Sequence, residues 1–269
     1  MLETSPVPLT DRDFDRLRKL IYRWAGLALS PAKKPTVAGR LRVRLRQFDM
    51  DGYGPYVDLL ESDRGPERQV AIDLLTTNET HFFRESRHFR LLQEELAVDL
   101  RPPLRAWSAA CSSGEEPYTL AMILADRWGI GGDWEILATD ISTRVLAKAR
   151  SGIYPMTRAS EIPDGFLRRY WLKGIGSQQG SFRVGPELAR KVEFERLNLI
   201  DPLPEDRVFD IAFLRNVLIY FEAPTKQHVV RHVIGRVKRG GLLFVGHSEG
   251  LQGLGLDLEP IAPAVYRVH

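Results

Sequence analysis

The spacing of apolar residues changes near Pro102-Pro103, and this change limits the fold more than any other feature of the sequence. Before it, apolar residues recur every three or four positions, which is the spacing of amphipathic helices. After it, short apolar runs typical of strands alternate with helical patterns. The runs cover residues 104–110, 134–138, 192–197, 209–214 and 242–245. The sequence therefore predicts a helical domain over 1–76, a linking and ligand-contacting segment over 77–103, and a mostly parallel sheet with helices on both faces over 104–269.

Two apolar stripes indicate the first helices. Thr10 precedes the first stripe and has the spacing of a capping residue relative to Asp13. The first stripe contains Phe14, Leu17, Ile21 and Trp24, and the second contains Val37, Leu41, Leu45 and Phe48. Shorter periodic stretches up to Leu75 predict two more helices. In the sheet domain, the glycine-rich stretch within about 171–190 predicts a small inserted β-hairpin.

Composition excludes several classes of protein. The single cysteine, Cys111, rules out an intramolecular disulfide and a cysteine-based zinc site, which fits a reducing cytoplasm. No apolar run approaches the roughly 18 residues that a membrane span needs. The 38 basic residues nearly balance the 35 acidic ones, and the main basic stretch lacks interleaved aromatic residues. We expect a folded cytoplasmic protein that neither enters a membrane nor binds nucleic acid.

Polar residues follow the predicted strands at the edge where open parallel sheets bind their ligands. Ser112–Glu116 follows the first strand, Asp140 the second, Asn198 the third and Arg215 the fourth. An acid after the second strand can accept both ribose hydroxyls of an adenosine ligand, which is one interpretation of Asp140. The other interpretation is that Asp140 caps the helix that starts near Ser142, and the sequence leaves both open.

The turn after the first strand also has two interpretations. Ser113 and Glu116 satisfy a capping box, and Pro117 suits a first helical turn, so capping alone would explain them. The turn contains one glycine, Gly114, where a dinucleotide fingerprint has three. It therefore favours an adenosyl ligand without phosphates over NAD.

A basic stretch lies in the helical domain, where residues 31–46 contain six basic and no acidic residues. A solvated helix face is the ordinary explanation for such a stretch. The functional alternative is a cationic surface that attracts an acidic partner, with Arg40 and Arg44 on one side of the helix and Arg42 and Arg46 on the other.

Two motif matches are discounted. Residues 246–250 fit the G-x-S-x-G pattern of serine hydrolases, but glycines follow Ser248 where a helical pattern is required. His228 and His232 share a helix face, but Val229 stands where a metalloprotease has its glutamate. A serine hydrolase is therefore a remote alternative, and no metal site is predicted.

Five separated motifs resemble, in the same order, those of the CheR family of chemotaxis receptor glutamate methyltransferases. They are residues 77–84, 107–110, 114–118, 215–221 and 246–249. The resemblance implies an α/β fold in which an N-terminal all-helical, receptor-binding domain precedes a class I, Rossmann-like methyltransferase domain with a small inserted β-subdomain. The implied reaction transfers a methyl group from S-adenosylmethionine to receptor glutamates, leaving glutamyl methyl esters and S-adenosylhomocysteine, and serves sensory adaptation.

The resemblance also implies the residues of the site. The implied cofactor contacts are Asn78, Thr80, Arg84, Glu116, Asp140, Asn198, Leu199, Arg215 and Asn216. Arg84 and Tyr220 are implied to lie closest to methyl transfer, Arg84 as a cation that orients a carboxylate and Tyr220 as a hydroxyl near the methyl group.

The implied partners are methyl-accepting chemotaxis receptors in membrane arrays. The implied contacts are Arg40, Arg42, Arg44 and Arg46 for the acidic methylation helices, and Lys173 and Arg183 for a C-terminal pentapeptide held by strand addition. Two alternatives stay open: a non-catalytic relative that binds receptor or cofactor, and a methyltransferase that acts on another protein.

Overall fold

The chain forms two compact units. The computed structural model describes residues 8–62, 65–202 and 207–269. The first unit comprises Met1–Thr77 and Tyr220–Thr225, and the second comprises Asn78–Ile219 and Lys226–His269. Residues 1–7 of the predicted helical domain lie outside the described part of the chain. No helix in the described ranges is long and apolar enough to cross a membrane.

The first unit is built from helices. They are α1 (Asp11–Ala25), α2 (Lys34–Gln47), α3 (Tyr53–Ser62) and α4 (Pro66–Leu75), with a 3-10 turn at Pro31–Lys33. The predicted cap of α1 is confirmed, because the Thr10 hydroxyl accepts a hydrogen bond from the Asp13 amide at 3.0 Å. Both predicted stripes are buried except for Phe48, which is 41% exposed. Phe48 follows the last residue of α2, so helical spacing no longer fixes where its ring points.

Two sheets form in the second unit. The strands are β1 (Leu104–Ala109), β2 (Trp134–Asp140), β3 (Ile153–Pro155), β4 (Trp171–Lys173), β5 (Ser181–Val184), β6 (Val192–Arg196), β7 (Phe209–Leu214), β8 (Val237–Val245), β9 (Leu258–Ala262) and β10 (Val265–Val268). The large sheet has the order β6-β2-β1-β7-β8-β10-β9, with its first five strands parallel and β10 antiparallel to both neighbours. All five predicted strands are confirmed, while β9 and β10 were not predicted.

The predicted linker is in part a core element. The remaining helices are α5 (Ser86–Val98), α6 (Glu115–Trp128), α7 (Thr143–Ser151), α8 (Asp164–Tyr170), α9 (Pro186–Ala189) and α10 (Ala223–Ile234), with 3-10 turns at Met156–Glu161, Gly176–Gln178 and Leu218–Tyr220. Helix α5 lies within the segment 77–103, and its Phe89 and Leu92 are buried in the same cluster as Phe213 of the sheet. The segment is therefore part of the second unit's core, which corrects the prediction of a linker.

The small sheet corrects the predicted hairpin. Its order is β3-β5-β4, and both pairings are antiparallel. The insertion thus begins at Ile153, well before the predicted start near residue 171, and β5 is its central strand. Its core is aromatic, since the rings of Phe82 and Trp171 meet edge to face at a centroid distance of 5.2 Å.

Strands β6 and β9 form the two edges of the large sheet. In β9, Pro260 pairs with Tyr266 of β10 and has no N–H to offer on either side. In β6, the side chains of Glu193 and Arg196 are exposed. Both edges therefore carry residues that are unfavourable for further strand pairing.

Candidate active site

The parallel register brings the predicted polar residues to one edge of the large sheet. Strand β1 pairs with β2 and β7, and β2 pairs with β6, all in parallel. The residues after these strands therefore meet at their common carboxyl ends, where open α/β sheets bind ligands.

Asp140 joins two of these strand ends. Its Oδ2 accepts a hydrogen bond from the Ser112 amide at 2.9 Å, and its Oδ1 accepts one from the Ser142 amide at 2.9 Å. Ser142 is the N-cap residue of α7, so the local interpretation of Asp140 has a structural basis. These two bonds hold the carboxylate at the carboxyl ends of β1 and β2.

The turn after β1 has little room and few free amides. Three of its N–H groups already donate: Cys111 to Thr139 O, Ser112 to Asp140, and Gly114 to Cys111 O. A pyrophosphate bound at such a turn would need these donors. The turn thus fits a nucleoside ligand without phosphates.

Gly114 is required for the close packing of this turn. Its φ is 95°, and a Cβ atom there would lie 2.9 Å from Ala149 Cβ and 2.9 Å from the Tyr154 hydroxyl. Any side chain would therefore strain the backbone and displace the neighbouring elements.

The predicted capping box is absent. Gly114 is the N-cap of α6, with no side-chain cap, and Ser113 donates its hydroxyl proton to Glu115 Oε2 at 2.7 Å. Glu116 Oε1 instead accepts from the Ser108 hydroxyl at 2.7 Å. This frees Glu116 for the network at the end of β7, so the capping interpretation is wrong.

Arg215 is the centre of that network, and its side chain is 1% exposed. It donates to Glu116 Oε2 at 2.8 Å, to Glu85 Oε2 at 3.0 Å and to the Arg84 carbonyl. The Asn216 side-chain amide donates to Glu85 Oε1 at 3.1 Å. Glu85 was not predicted, and its position next to Arg84 was the signal that could have revealed it.

The two carboxylates respond differently to burial. Burial alone would raise the pKa of Glu85, but the Arg215 charge and the Asn216 amide outweigh it and hold the pKa below its ordinary value. Burial raises the pKa of Glu116, and Arg215 offsets only part of that effect. Two carboxylates around one guanidinium give this edge an excess of acceptor groups, which suits a cationic ligand.

The segment before α5 is held against the second unit by its backbone. The Asn78 carbonyl accepts from the Ser112 hydroxyl at 2.9 Å, and the Thr80 carbonyl accepts from Arg158 at 2.8 Å. The Arg84 guanidinium donates to the Glu79 carbonyl at 2.8 Å. The structure therefore fixes the backbone of this segment beside the β1 turn.

The other predicted residues occupy two places. Asn198 and Leu199 follow β6, with Asn198 half-buried and Leu199 buried. Tyr220 belongs to the first unit, where its carbonyl accepts a hydrogen bond from the Ala28 amide at 2.9 Å.

A cluster of Glu85, His88 and His247 has three potential metal-ligating atoms within 4.8 Å of one another. The two imidazole rings stack at a centroid distance of 4.6 Å and an interplanar angle of 11°. The guanidinium of Arg215 already donates to Glu85 Oε2 at 3.0 Å, which makes that oxygen less available as a metal ligand. Burial lowers the pKa of His88 to about 4, and the Arg215 charge adds to this effect. The cluster thus fits a neutral, packed imidazole better than a metal site.

The arginines of α2 fall into two classes. Arg40 donates to the carbonyls of Leu74, Leu75 and Thr76, which end α4. Arg44 is 13% exposed and pairs with Glu67, its Nε at 2.8 Å and its Nη2 at 2.5 Å from the two carboxylate oxygens.

Arg42 and Arg46, in contrast, are exposed. The predicted cationic surface of four arginines is therefore corrected to these two residues, because Arg40 and Arg44 hold their own unit together.

The two predicted tail-binding residues lie on different strands. Lys173 is exposed on β4, an edge strand, and Arg183 is exposed on β5. The backbone of Arg183 lies between Ile153 of β3 and Leu172 of β4. A peptide therefore cannot add to β5, and only the outer edges of β3 and β4 can accept a strand.

The discounted hydrolase motif has no structural support. β8 ends at Val245, and the next element after Ser248 is β9, so the helix that follows a nucleophile elbow is absent from this described stretch.

Two family models match the chain. One, described as "CheR methyltransferase, all-alpha domain", matches residues 12–76, and the other, "CheR methyltransferase, SAM binding domain", matches residues 78–263. The chain belongs to the CheR methyltransferase family. Its second unit is accordingly a class I methyltransferase sheet with an inserted β-subdomain.

Curated relatives match nearly the whole CheR chain. The chemotaxis protein methyltransferase of Salmonella typhimurium is 42% identical over 98% of this chain and 92% of its own length. The chemotaxis protein methyltransferase of Escherichia coli is 44% identical over 93% of this chain and 88% of its own length. Among solved structures, N-methyltransferase NodS from Bradyrhizobium japonicum with S-adenosyl-l-homocysteine is 13% identical, with a TM-score of 0.37, over 64% of this chain and 68% of that chain.

Proposed function

We propose that this CheR protein transfers methyl groups from S-adenosylmethionine to glutamate side chains of chemotaxis receptors. The observation that carries the proposal is the carboxyl edge of the large sheet, which combines a buried acid at the end of β2, a turn in which three amides already donate hydrogen bonds, and an excess of carboxylates around Arg215. These features suit a cationic nucleoside that lacks phosphates. The matching family models and the names of the chemotaxis relatives support a methyltransferase that uses S-adenosylmethionine in chemotaxis.

The residues present fit S-adenosylmethionine. Asp140 is a buried acid at the end of β2, the position proposed to face the ribose hydroxyls, and Asn198 with buried Leu199 after β6 is proposed to face the adenine. The remaining proposed contacts are Asn78, Thr80, Arg84, Glu116, Arg215 and Asn216. When bound, S-adenosylmethionine supplies a methyl group on a positively charged sulfur.

The acceptor carboxylate makes modest demands on the protein. A glutamate has a reference pKa of about 4.3, so it is ionised at neutral pH and needs no general base. Arg84 is proposed to orient this carboxylate, because a guanidinium matches its geometry. Tyr220 is proposed to place a hydroxyl near the transferred methyl group. Positioning, together with the exclusion of water around charges that cancel on transfer, supplies most of the catalysis.

The receptor contacts are proposed on two surfaces. Exposed Arg42 and Arg46 would attract the acidic methylation helices. The outer edge of β4, which carries Lys173 and the 56% exposed Leu172, would accept a receptor's C-terminal peptide as an added strand. With these contacts, the proposed site of action is the cytoplasmic face of membrane receptor arrays.

The decisive experiment combines labelled S-adenosylmethionine with receptor-bearing membranes. We expect base-labile methyl label on the receptors, as a glutamyl ester requires. Ser248→Ala, which removes the only nucleophile of the discounted hydrolase motif, should methylate like the wild type. Label on other proteins would indicate another substrate, and cofactor binding without any transfer would indicate a non-catalytic relative.

The cofactor is tested separately by calorimetric titration with S-adenosylhomocysteine. Asp140→Ala should weaken binding at least tenfold, since it removes a charged acceptor for the ribose. Unchanged affinity in this variant would refute the role of Asp140.

A further inference from the structure

Glu249 ends the motif 246–249 and has no role in the function proposed above, yet it is 1% exposed. Its carboxylate accepts three backbone hydrogen bonds. Oε2 accepts from the Asn216 amide at 2.6 Å and from the Gly246 amide at 2.8 Å, and Oε1 accepts from the Ile219 amide at 3.1 Å. Because Asn216 follows β7 and Gly246 follows β8, one side chain joins the ends of two neighbouring strands.

The backbone at Asn216 needs such support. Its φ is 57°, in the left-handed region that residues other than glycine adopt at a cost. The Asn216 N–H makes the shortest of the three bonds to Glu249. Asparagine is one of the non-glycine residues that adopt this region most readily, and a charged acceptor aimed at its amide stabilises the conformation further.

Gly246 is part of the same arrangement. A Cβ atom at this position would lie 2.6 Å from Glu249 Oε2, 2.7 Å from Asn216 Nδ2 and 3.0 Å from the Asn216 amide nitrogen. A glycine is therefore needed for the carboxylate to reach both strand ends. This accounts for the first and last residues of the motif without any role for Ser248.

The turn that Glu249 holds carries two of the proposed cofactor contacts. The Arg215 guanidinium reaches Glu85 and Glu116, and the Asn216 side chain reaches the other oxygen of Glu85. A shift of this turn would move both side chains together. The strength of their hydrogen bonds depends on donor–acceptor distance and angle, so even a small shift would weaken them.

We propose that Glu249 is a positioning residue for methyl transfer. It fixes the backbone of residues 215–219 so that Arg215 and Asn216 stand in register with Glu85 and Glu116. The inference rests on the proposed function, because the side chains that it positions are assigned to the cofactor there.

The test compares Glu249→Gln with Ser248→Ala, an exposed neighbour in the same turn. Glutamine keeps the size of the side chain, but one of its two ends is an amide donor and must face a backbone N–H. We expect the Kd for S-adenosylhomocysteine to rise roughly tenfold or more, with the binding stoichiometry of the wild type. Ser248→Ala should keep the wild-type Kd.

A merely structural role predicts a different result. It would lower the unfolding temperature and the fraction of binding-competent protein, while the Kd of the folded molecules stayed the same. Glu249→Asp, which keeps the charge on a shorter side chain, replaces the glutamine variant if that fails to fold, and its Kd should also rise. A wild-type Kd in a folded variant overturns the proposal.

The amide protons give a readout that does not depend on the cofactor. In spectra of the full chain, the resonances of Asn216, Gly246 and Ile219 should move upfield together in Glu249→Gln and stay in place in Ser248→Ala. Failure of the wild type to bind S-adenosylhomocysteine would count against the proposed function, and these resonances would then decide whether the carboxylate holds the turn. Unmoved resonances in the glutamine variant would refute the inference.

Discussion

Each unit buries an arginine against carboxylates, but the balance of charge differs. In the first unit, Arg44 pairs with the single carboxylate of Glu67. In the second, Arg215 lies between the carboxylates of Glu85 and Glu116. The first arrangement is neutral and links two helices. In the second, two carboxylates share one guanidinium. Their excess negative charge lowers stability when the site is empty and favours the binding of a cationic ligand. The same residue type thus stabilises the fold in one place and, under the proposed function, contributes to binding in the other.

The surroundings reinforce this difference. The Tyr56 hydroxyl donates to Glu67 at 2.6 Å, and burial raises the pKa of Tyr56, so the hydroxyl stays protonated as a donor. Around Arg215, in contrast, the pKa of Glu85 is lowered and that of Glu116 is raised. In the neutral pair, Glu67 accepts hydrogen bonds from both Arg44 and Tyr56. In the acidic cluster, the surroundings shift the pKa values of the two carboxyl groups in opposite directions.

The largest effect is expected from Arg215→Met. It leaves two half-buried carboxylates without the guanidinium between them, so we expect a loss of about 3 kcal/mol in the free energy of unfolding. Affinity for S-adenosylhomocysteine should fall at least a hundredfold. Urea unfolding and calorimetry measure the two quantities, and retained affinity would remove Arg215 from the site.

Glu67→Gln tests the neutral Arg44–Glu67 pair of the first unit. We expect a loss of about 2–3 kcal/mol in the free energy of unfolding, because Arg44 and Tyr56 lose a charged acceptor. Affinity for S-adenosylhomocysteine should stay within about twofold of the wild type. A large loss of affinity would show that the neutral pair also serves the site.

His88 lies against the acidic cluster and should make stability depend on pH. Its pKa is about 4 in the folded protein and 6.5 as an ordinary histidine, mainly because of burial and then the charge of Arg215. Between these values the unfolded chain takes up a proton that the folded chain refuses, so stability falls as pH drops from about 6.5 towards 4.

The variant that isolates this effect is His88→Phe. Between pH 7.5 and pH 5 the wild type should lose about 1–2 kcal/mol more than the variant, measured by urea unfolding at each pH. Glu85 and His247 also face His88, so identical pH profiles for the two proteins would mean that these neighbours, and not burial, control its charge.

The smallest effect is expected at the exposed arginines. Arg42→Glu with Arg46→Glu should slow receptor methylation several-fold, through weaker steering, and leave the Kd for S-adenosylhomocysteine unchanged. The matched control reverses exposed Arg12 and Lys19 of α1, which changes the net charge equally. Equal slowing in both double variants would attribute the effect to net charge alone.

Local patterns predicted the parts of the fold that depend on local interactions. The Thr10 cap, the two helical stripes and the five buried strands each have a short-range signal in the sequence. Helix α5 was missed because charged and polar residues surround its buried apolar residues Phe89 and Leu92. Strands β9 and β10 were missed because Pro260 is atypical of a strand interior.

In the site, too, local sequence patterns predicted positions along the chain but not contacts between distant residues. Position after a strand was enough to bring Asp140, Asn198 and Arg215 to one edge. Sequence could not reveal that Arg44 is paired with Glu67, because that contact joins separate helices. Nor could it reveal Glu249, whose partners are backbone amides contributed by another strand end.

The edges of the large sheet have a consequence for the behaviour of the protein at high concentration. A proline in the middle of β9 removes a backbone donor that a second molecule would need, and exposed charges along β6 make the approach of another strand unfavourable. Self-association through the edge strands of the large sheet is therefore disfavoured. The outer edges of β3 and β4 in the small sheet are the ones at which another strand can pair.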